Sequence, residues 1–338
     1  MLKRTNGATL ADVAREAGVS LKTASRVLNM TPVAPATARK VRAAMTQLDY
    51  HPNELARGLK GRKSAAIGMV VPNLADPFNA SAVQAVQDVA KANGHVVIIT
   101  SSGGDETVER EQLETLVRRQ VDGLVLAPAD GRNNTIECFQ SANIPVVTFD
   151  RPISNSNTDS ITVTNRDATR EATEHLLSHG YRRIVAIGSR AHLFTGSERV
   201  CGYTSTMMRA GLREESFLVA RESEITSEVF GRLLESGPGK LEAILTLNGT
   251  TTITVLRLLR QLGKSVGADI ALVSFDDFEL SEVLTPRLTA VCQPSAELGR
   301  RAAELLFQKV LGDRTLPKQE IVLPTTFHIR ESCGCTER

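Results

Sequence analysis

The chain of 338 residues contains no tryptophan, 3 tyrosines and 10 phenylalanines. An aromatic side chain that stacks on a ligand must therefore be one of these few tyrosines and phenylalanines, and Phe78 is a candidate for that role. The sequence has no apolar run long enough to cross a bilayer, and it lacks the HExxH, GxSxG, GxxxxGK and GxGxxG motifs. These absences give no support to a membrane-spanning protein or to a metalloprotease, serine hydrolase or nucleotide-binding enzyme. We expect no catalytic residues and no cofactor.

Cysteines are few and odd in number: Cys138, Cys201, Cys292, Cys333 and Cys335. With no secretory leader at the first residues, we expect reduced thiols and a cytoplasmic protein. The Cys333-Gly-Cys335 motif could chelate a metal or sense redox state. Because the sequence shows no second ligand pair and only His328 lies nearby along the chain, we expect no metal site.

Charge is distributed unevenly. Residues 1–63 carry 12 Lys and Arg against 4 Asp and Glu, a net charge of +8, whereas the remaining residues carry 28 against 34, a net charge of −6. The basic segment 1–63, which we call the head, attracts a polyanion, whereas the acidic remainder of the chain repels it. This distribution favours nucleic acid as a partner. A membrane surface is disfavoured because the head has no basic amphipathic helix with bulky apolar anchors.

Residues 8–29 read ATLADVAREAGVSLKTASRVLN and predict two short helices joined by a tight turn. Thr9 caps the first helix, with Asp12 reaching back to the free backbone amides, and Gly18 ends it. Its apolar stripe is Leu10, Val13, Ala14 and Ala17.

Ser20 caps the second helix, whose predicted buried side is Leu21, Ala24 and Leu28. Lys22, Arg26 and Asn29 form another side, with Thr23 and Ser25 nearby, and these side chains offer donors for bases and phosphates. A third helix is predicted over 35–48, with Val41, Ala44, Met45 and Leu48 closing a three-helix core. Two solvated surface helices in an unrelated protein remain the alternative.

Residues 64–338 alternate apolar runs with helical patterns and predict two successive open α/β sheets. The first series of strands is 65–71, 96–100, 123–126 and 145–149, and its helices are 79–92, 105–119 and 132–142. The second series of strands is 160–163, 183–187, 243–247 and 270–275, and its helices are 167–179, 197–210, 225–236 and 250–262.

Polar and aromatic residues follow several of these strands or open the next helix: Asp76, Phe78, Asp150, Arg151, Asn165, Arg199, Asn248 and Asp276. Ligands of such sheets bind at the carboxyl ends of the strands. Carboxylates, guanidinium groups and amides that converge on one cleft suit a polyol, and arginine also binds carboxylate or phosphate. A carbohydrate-like small molecule is the expected ligand.

The segments TLADVAREAGVS, SRVLN, LDYHPN and ARGLK, the last ahead of IGMVVPN, resemble the LacI/GalR family of bacterial transcription regulators. The resemblance implies that Leu21, Lys22 and Arg26 read bases in the major groove and that Thr9, Ser20, Thr23, Ser25 and Asn29 contact phosphates. It also implies a hinge helix in the minor groove, with Leu59 as a wedge beside Ala56 and Lys60. Effector contacts are implied at Asp150, Arg199, Asn248 and Asp276, and more loosely at Asp76, Phe78, Arg151 and Asn165.

The chain departs from the family pattern at three places. Ala34-Pro35 replaces the usual serine cap of the third helix, Gly249 stands where relatives usually have aspartate, and Thr164 stands where they often have aspartate. The first departure removes a cap hydrogen bond, and a proline in the first helical turn partly compensates.

The resemblance implies an all-α helix-turn-helix domain at 1–52, a hinge helix at 53–63 and a two-lobed α/β domain at 64–338 that resembles periplasmic binding proteins. Its N-subdomain comprises 64–162 and 293–320, and its C-subdomain comprises 163–292 and 321–331.

The expected function is a nucleoid-associated repressor that binds a near-palindromic operator as a homodimer under control of a small-molecule effector. A tetramer is not expected because the tail after Arg330 has no leucine heptads. A transport solute-binding protein and a sugar-modifying enzyme remain as alternatives. The first would need a leader peptide, and the second a nucleotide-phosphate motif or a nucleophile with its base.

Overall fold

The computed structural model describes residues 8–28, 31–50, 64–131, 133–189, 191–212, 215–219, 224–235, 240–312 and 316–335. The chain forms two compact units, Met1–Ser64 and Ala65–Arg338. Among the described residues, no helix combines the length and the apolar character that a bilayer crossing requires.

The described residues of the first unit form three helices, α1 (Leu10–Glu16), α2 (Leu21–Leu28) and α3 (Pro35–Gln47). The predicted capping box is confirmed: the Thr9 amide donates to Asp12 Oδ2 at 2.9 Å, and the Asp12 amide donates to Thr9 Oγ1 at 3.3 Å. Gly18 follows α1 with a φ of 64°, and Ser20 Oγ accepts from the Thr23 amide at 3.1 Å. These local bonds fix where α1 and α2 begin and how the chain turns between them.

The core of the first unit is formed by small and branched side chains from all three helices: Val13, Ala14, Ala24, Val27, Val41 and Ala44. The prediction that Leu21 lies on the buried side of α2 is wrong, since Leu21 is 54% exposed. The prediction is confirmed for Ala24, which is buried together with Val27, and Leu28 is half-buried. Ala34 makes no side-chain cap and Pro35 is the first residue of α3, as predicted.

The first sheet of the second unit has the strand order β11-β5-β4-β3-β1-β2, and all its strands are parallel. Its elements are β1 (Ala66–Val71), α4 (Pro77–Ala92), β2 (Val96–Ser101), α5 (Glu106–Arg118), β3 (Leu124–Leu126), α6 (Glu137–Ser141), β4 (Val146–Phe149), β5 (Asp159–Val163), α11 (Ser295–Leu311) and β11 (Glu320–Leu323). One apolar cluster buries α4 and α11 against one face, and another buries α5 and α6 against the other.

The second sheet has the order β12-β10-β9-β8-β6-β7 and is parallel except for β12, which pairs antiparallel to β10. Its elements are α7 (Asn165–Ser178), β6 (Ile184–Ser189), α8 (Phe194–Arg209), β7 (Glu215–Val219), α9 (Ser227–Glu235), β8 (Ala243–Thr246), α10 (Gly249–Gln261), β9 (Ala271–Phe275), β10 (Thr289–Cys292) and β12 (Thr326–His328). Helices α7 and α8 share one apolar cluster with the sheet, and α9 and α10 share another.

Two sequence assignments need correction. The strand at 160–163 belongs to the first sheet, where β5 pairs with β4, and not to the second series. Residues 321–323 belong to the first sheet as well, because β11 pairs in parallel with β5, so the last crossover to the second sheet follows Leu323. An apolar run identifies a strand, but the pairing partners that assign it to a sheet are distant in sequence.

Candidate functional site

Helix α2 presents a polar surface in the first unit. Leu21, Lys22 and Arg26 are exposed on it, and Thr23 and Ser25 are partly exposed. Arg26 Nη2 donates to the Pro32 carbonyl at 2.6 Å, which orients the guanidinium from α2 toward the following turn. Thr9 and Ser20 are exposed at the N-termini of α1 and α2, where free backbone amides favour an anion.

The structure therefore brings seven of the predicted DNA-contacting residues onto one small domain. The other four, Asn29, Ala56, Leu59 and Lys60, lie outside the described residues, as does the predicted hinge at 53–63. Their assignment as DNA contacts stays a prediction.

A cavity of about 320 Å³ lies in the second unit where strand ends of both sheets meet. This volume falls within the usual range of small-molecule sites. Seven of the eight predicted effector residues line it: Asp76, Phe78, Asp150, Arg151, Arg199, Asn248 and Asp276. The eighth, Asn165, is buried and contacts the cavity-lining Arg199.

Arg199 is held at the cavity wall by contacts from three elements. Its Nε donates to Asn165 Oδ1 at 2.8 Å and its Nη1 donates to the Leu247 carbonyl at 2.7 Å. The guanidinium carbon lies 3.7 Å from the centre of the Phe275 ring. Burial lowers the pKa of Arg199, and the nearby carboxylates of Asp276 and Asp150 oppose that effect. The side chain is thus fixed in position as a cation on the cavity wall.

A close helix contact makes this arrangement possible. A Cβ at Gly202 would lie 2.4 Å from the Arg166 carbonyl oxygen, so only glycine lets α8 approach α7 this closely. Asn165 at the start of α7 is thereby brought within reach of Arg199 on α8.

Two aspartates occupy corresponding places after a strand of each sheet. Asp150 follows β4 with a φ of 68°, and Asp276 follows β9 with a φ of 80°. Left-handed backbone at non-glycine residues is uncommon and often occurs at binding sites. Arg151 pairs with Asp150 at 2.8 Å, while Asp276 Oδ2 accepts from the Gly249 amide at 2.9 Å and its Oδ1 accepts from Gln293 Nε2 at 2.5 Å.

Asp76 caps α4 by accepting from the Phe78 amide at 3.1 Å. Burial, followed by the negative charge of Asp276, raises the pKa of Asp76 to about 6.

The Phe78 ring stacks on the Phe149 ring with centroids 6.5 Å apart, which fixes an aromatic surface at the cavity. Asn248 caps α10 through a 2.8 Å bond from the Thr251 amide.

Two buried polar atoms at this cavity have no hydrogen-bond partner among the described residues: Arg151 Nη1 and Gln293 Oε1. The first is a donor that requires an acceptor, and the second is an acceptor that requires a donor. Leaving both unsatisfied costs free energy, so the cavity suits a ligand that supplies both functions.

Several residues of the site were not predicted from the sequence. The cavity is also lined by Asn73, Ser101, Leu193, Thr195, Thr250 and Gln293. A polar residue after a strand was the available signal, and Gln293 directly follows β10. The expectation that the Cys333–Cys335 motif lacks a second ligand pair is wrong, because His175 and His179 lie beside it.

Residues 9–53 match the sequence profile described as bacterial regulatory proteins of the lacI family, and residues 173–333 match the profile of a periplasmic binding protein-like domain. The chain is 33% identical to the ribose operon repressor of Escherichia coli, covering 94% of this chain and 97% of the relative. It is 31% identical to the transcriptional regulator PtxS of Pseudomonas putida, covering 90% of each. The Bacillus subtilis regulator KdgR is 29% identical, covering 98% and 100%.

The fold is similar to that of the lac repressor dimer bound to operator and an anti-inducer, with a TM-score of 0.84, 27% identity and coverage of 97% of this chain and 99% of that chain. A complex of the transcriptional regulator CelR with cellobiose gives a TM-score of 0.69, 28% identity and coverage of 96% and 99%. The helix-turn-helix unit, the two-sheet body and the extent of these matches show that this chain belongs to the LacI family of bacterial regulatory proteins.

Proposed function

We propose that the chain is a cytoplasmic transcriptional repressor that binds a near-palindromic operator as a homodimer. Its affinity for the operator changes when a carbohydrate-like effector binds in the cavity. The relatives are transcriptional regulators, and one similar structure is of a dimer on operator DNA. Two-fold symmetric proteins read two-fold symmetric sites.

The DNA-binding proposal rests on the polar surface of α2. Arg26 and Lys22 are exposed at positions where the second helix of this motif contacts base edges. Leu21 is exposed as well and offers an apolar contact for a thymine methyl group. The excess of positive charge in residues 1–63 attracts DNA phosphates whatever the base sequence.

The effector proposal is carried by one observation: a buried arginine donor and a buried glutamine acceptor at the same cavity both lack partners. A hydroxyl group accepts and donates at once, so a sugar offers both functions to these two cavity-lining side chains. The three cavity carboxylates and two guanidinium groups nearly balance in charge, which favours a neutral polyol over a multiply charged anion. The exposed side of Phe78 provides a surface for a sugar ring.

Regulation follows if the effector binds one arrangement of the two sheets better than another. The cavity takes residues from both sheets, so its shape depends on how they are placed, and a ligand shifts that equilibrium by its differential affinity. An effector that favours the DNA-competent arrangement is a corepressor, and one that favours the other is an inducer.

The test begins with thermal-shift screening of the full chain against neutral sugars, sugar acids, sugar phosphates and nucleosides. A neutral sugar is expected to raise the melting temperature of the wild type and to have a much smaller effect on Arg151→Gln. Arg118→Gln, an exposed arginine on α5, is the matched control and should respond as the wild type does. Stabilisation by nucleosides or sugar phosphates alone would contradict the proposed effector class.

A further inference from the structure

The C-terminal segment that contains Cys333 and Cys335 is fixed against the second sheet. Ser332 Oγ donates to the Leu272 carbonyl at 2.6 Å and accepts from the Thr289 amide at 2.8 Å, and the Leu272 amide donates to the Ser332 carbonyl at 2.8 Å. Cys333 is fully buried and Cys335 is half-buried. The two sulfur atoms are therefore held in a defined place.

His175 on α7 and His179, the C-cap residue of that helix, lie at the same place. His175 and His179 are four residues apart, so their side chains share one face of the helix. Cys335 Sγ lies 3.2 Å from His179 Nε2 and 3.9 Å from His175 Nε2. One ligand atom from each of His175, His179, Cys333 and Cys335 lies within 4.8 Å of all the others.

These separations are close to those of a tetrahedral metal centre. Zinc binds sulfur at about 2.3 Å and imidazole nitrogen at about 2.0 Å, so the ligand atoms of a two-cysteine, two-histidine site are about 3.3 to 3.8 Å apart. The cluster needs only small side-chain adjustments to reach that geometry. Four protein ligands complete the coordination of zinc and leave no position for a substrate, which is typical of a structural site.

The surroundings support metal ligation and orient the ligands. Thr289 Oγ1 donates to Cys333 Sγ at 3.1 Å, and Cys333 Sγ donates to the Arg330 carbonyl at 3.2 Å. Metal binding replaces the thiol proton, and the bond from Thr289 then stabilises the thiolate. His175 packs edge-on against the Phe327 ring with centroids 5.3 Å apart, and His179 stacks on the Tyr181 ring at 5.9 Å. Two thiolates and two neutral imidazoles balance the charge of a divalent cation, so the centre is neutral in this partly apolar environment.

The residue between the cysteines is suited to this geometry. Gly334 has a φ of 94°, and a Cβ there would lie 2.5 Å from Tyr181 Oη. Tyr181 Oη donates to the Cys333 carbonyl at 3.2 Å. Glycine thus lets the chain turn tightly under the tyrosine, which directs both cysteines toward α7.

We propose that His175, His179, Cys333 and Cys335 form a structural zinc site that fastens the C-terminal segment to α7. The site joins residues 160 positions apart in sequence, and closing so long a loop restricts the unfolded chain of the second unit. None of the four residues lines the effector cavity, so the site stabilises the body independently of effector binding.

The experiment uses the untagged full chain, purified with a non-thiol reductant and dialysed against metal-free buffer. Elemental analysis is expected to give about one zinc per chain. After exchange with cobalt, the spectrum should show the intense visible bands of tetrahedral Co²⁺ and a thiolate charge-transfer band.

Three variants locate the metal. Cys335→Ser and His179→Asn should each lower retained zinc at least tenfold. Cys335→Ser should also leave at most the cobalt charge-transfer intensity of one thiolate, whereas His179→Asn keeps both cysteines and should lower that intensity only in proportion to the cobalt that it loses. Cys138→Ser is the matched control, since Cys138 lies on α6 beside the first sheet and belongs to neither group of potential metal ligands, and it should keep the metal. His179 is exposed, so His179→Asn tests ligation even if the cysteine variant fails to fold, and circular dichroism establishes that it is folded.

The proposal is overturned if the reduced wild type retains less than about a tenth of a zinc per chain and gives no tetrahedral cobalt spectrum. It is also overturned if His179→Asn retains wild-type zinc or if Cys138→Ser loses as much zinc as Cys335→Ser. A disulfide between Cys333 and Cys335, found by mass spectrometry of freshly lysed cells, would overturn it as well. None of these readouts depends on DNA or effector binding.

Discussion

Replacing Glu109 by glutamine should remove a defined part of the pH dependence of stability. Glu109 lies on α5 and is 1% exposed, and its Oε2 accepts from the Ala129 amide at 2.7 Å. Burial raises the pKa of Glu109 to about 7 from the ordinary glutamate value of 4.5, against the opposing effect of the Ala129 hydrogen bond. The carboxyl group is therefore protonated in the folded state over a pH range in which it is ionised in the unfolded chain.

The sign follows from proton linkage. Between pH 4.5 and 7 the folded state binds more protons at Glu109 than the unfolded state does, so the free energy of unfolding falls as the pH rises through this window. One pKa unit corresponds to about 1.4 kcal/mol, and the loss assigned to Glu109 between pH 5 and pH 8 is about 2.5 kcal/mol.

Urea unfolding of the full chain at pH 5 and pH 8 measures this loss. Glu109→Gln keeps an acceptor for the Ala129 amide, so its loss between the two pH values should be about 2 to 3 kcal/mol smaller than that of the wild type. Glu111→Gln, at an exposed position of the same helix, should behave as the wild type. Equal pH dependence of Glu109→Gln and the wild type would refute the assigned pKa.

Three further predictions concern the two sites. Arg26→Ala should weaken operator binding by about 1 to 3 kcal/mol and relax base preference at one position, whereas equal losses on operator and random DNA, measured by fluorescence anisotropy, would refute a base contact. Asp276→Ala should retain operator binding but lose the effector response in a mobility-shift assay, and an unchanged response would remove Asp276 from the site. Because the pKa of Asp76 is about 6, a sugar that donates to its carboxylate should bind about tenfold more weakly at pH 5 than at pH 7, as measured by calorimetry. Asp76→Asn should abolish this pH dependence of sugar affinity, and a variant with the wild-type pH dependence would contradict the role of Asp76.

Features fixed by local chemistry could be predicted from the sequence. The capping box of Thr9 and Asp12, the turn at Gly18 and the cap at Ser20 each depend on residues within a few positions. The exposure of Leu21 could not be predicted from neighbouring residues in the same way. Helix α2 spans only two turns, and its packing against α1 and α3 decides which stripe is buried.

Features that depend on distant residues were predicted less well. Buried runs such as 66–71 are evident as strands, but the short edge strand β11 carries charge and alternates between exposed and half-buried residues. The apolar spacing of Leu298, Ala302 and Leu305 was an available signal for α11, which the prediction did not include.

The effector cavity was largely predictable because polar residues at the ends of parallel strands converge in this architecture. Gln293 lines the same cavity directly after β10, and it was missed because the prediction did not include that strand. The pairing of the histidines with the cysteines was also missed, because nothing local to either motif shows a contact across 160 residues.

Operator affinity with and without the effector tests the central claim most directly. Labelled operator, selected from genomic fragments by the full chain, is titrated at fixed salt concentration in the absence of effector and with the sugar identified by thermal shift at saturation. We predict preference for the operator over a scrambled duplex and a change in operator affinity of at least about fivefold with the sugar, with a reciprocal change in sugar affinity when operator is bound. Equal affinity for operator and scrambled DNA, or operator affinity unchanged by the bound sugar, would contradict it.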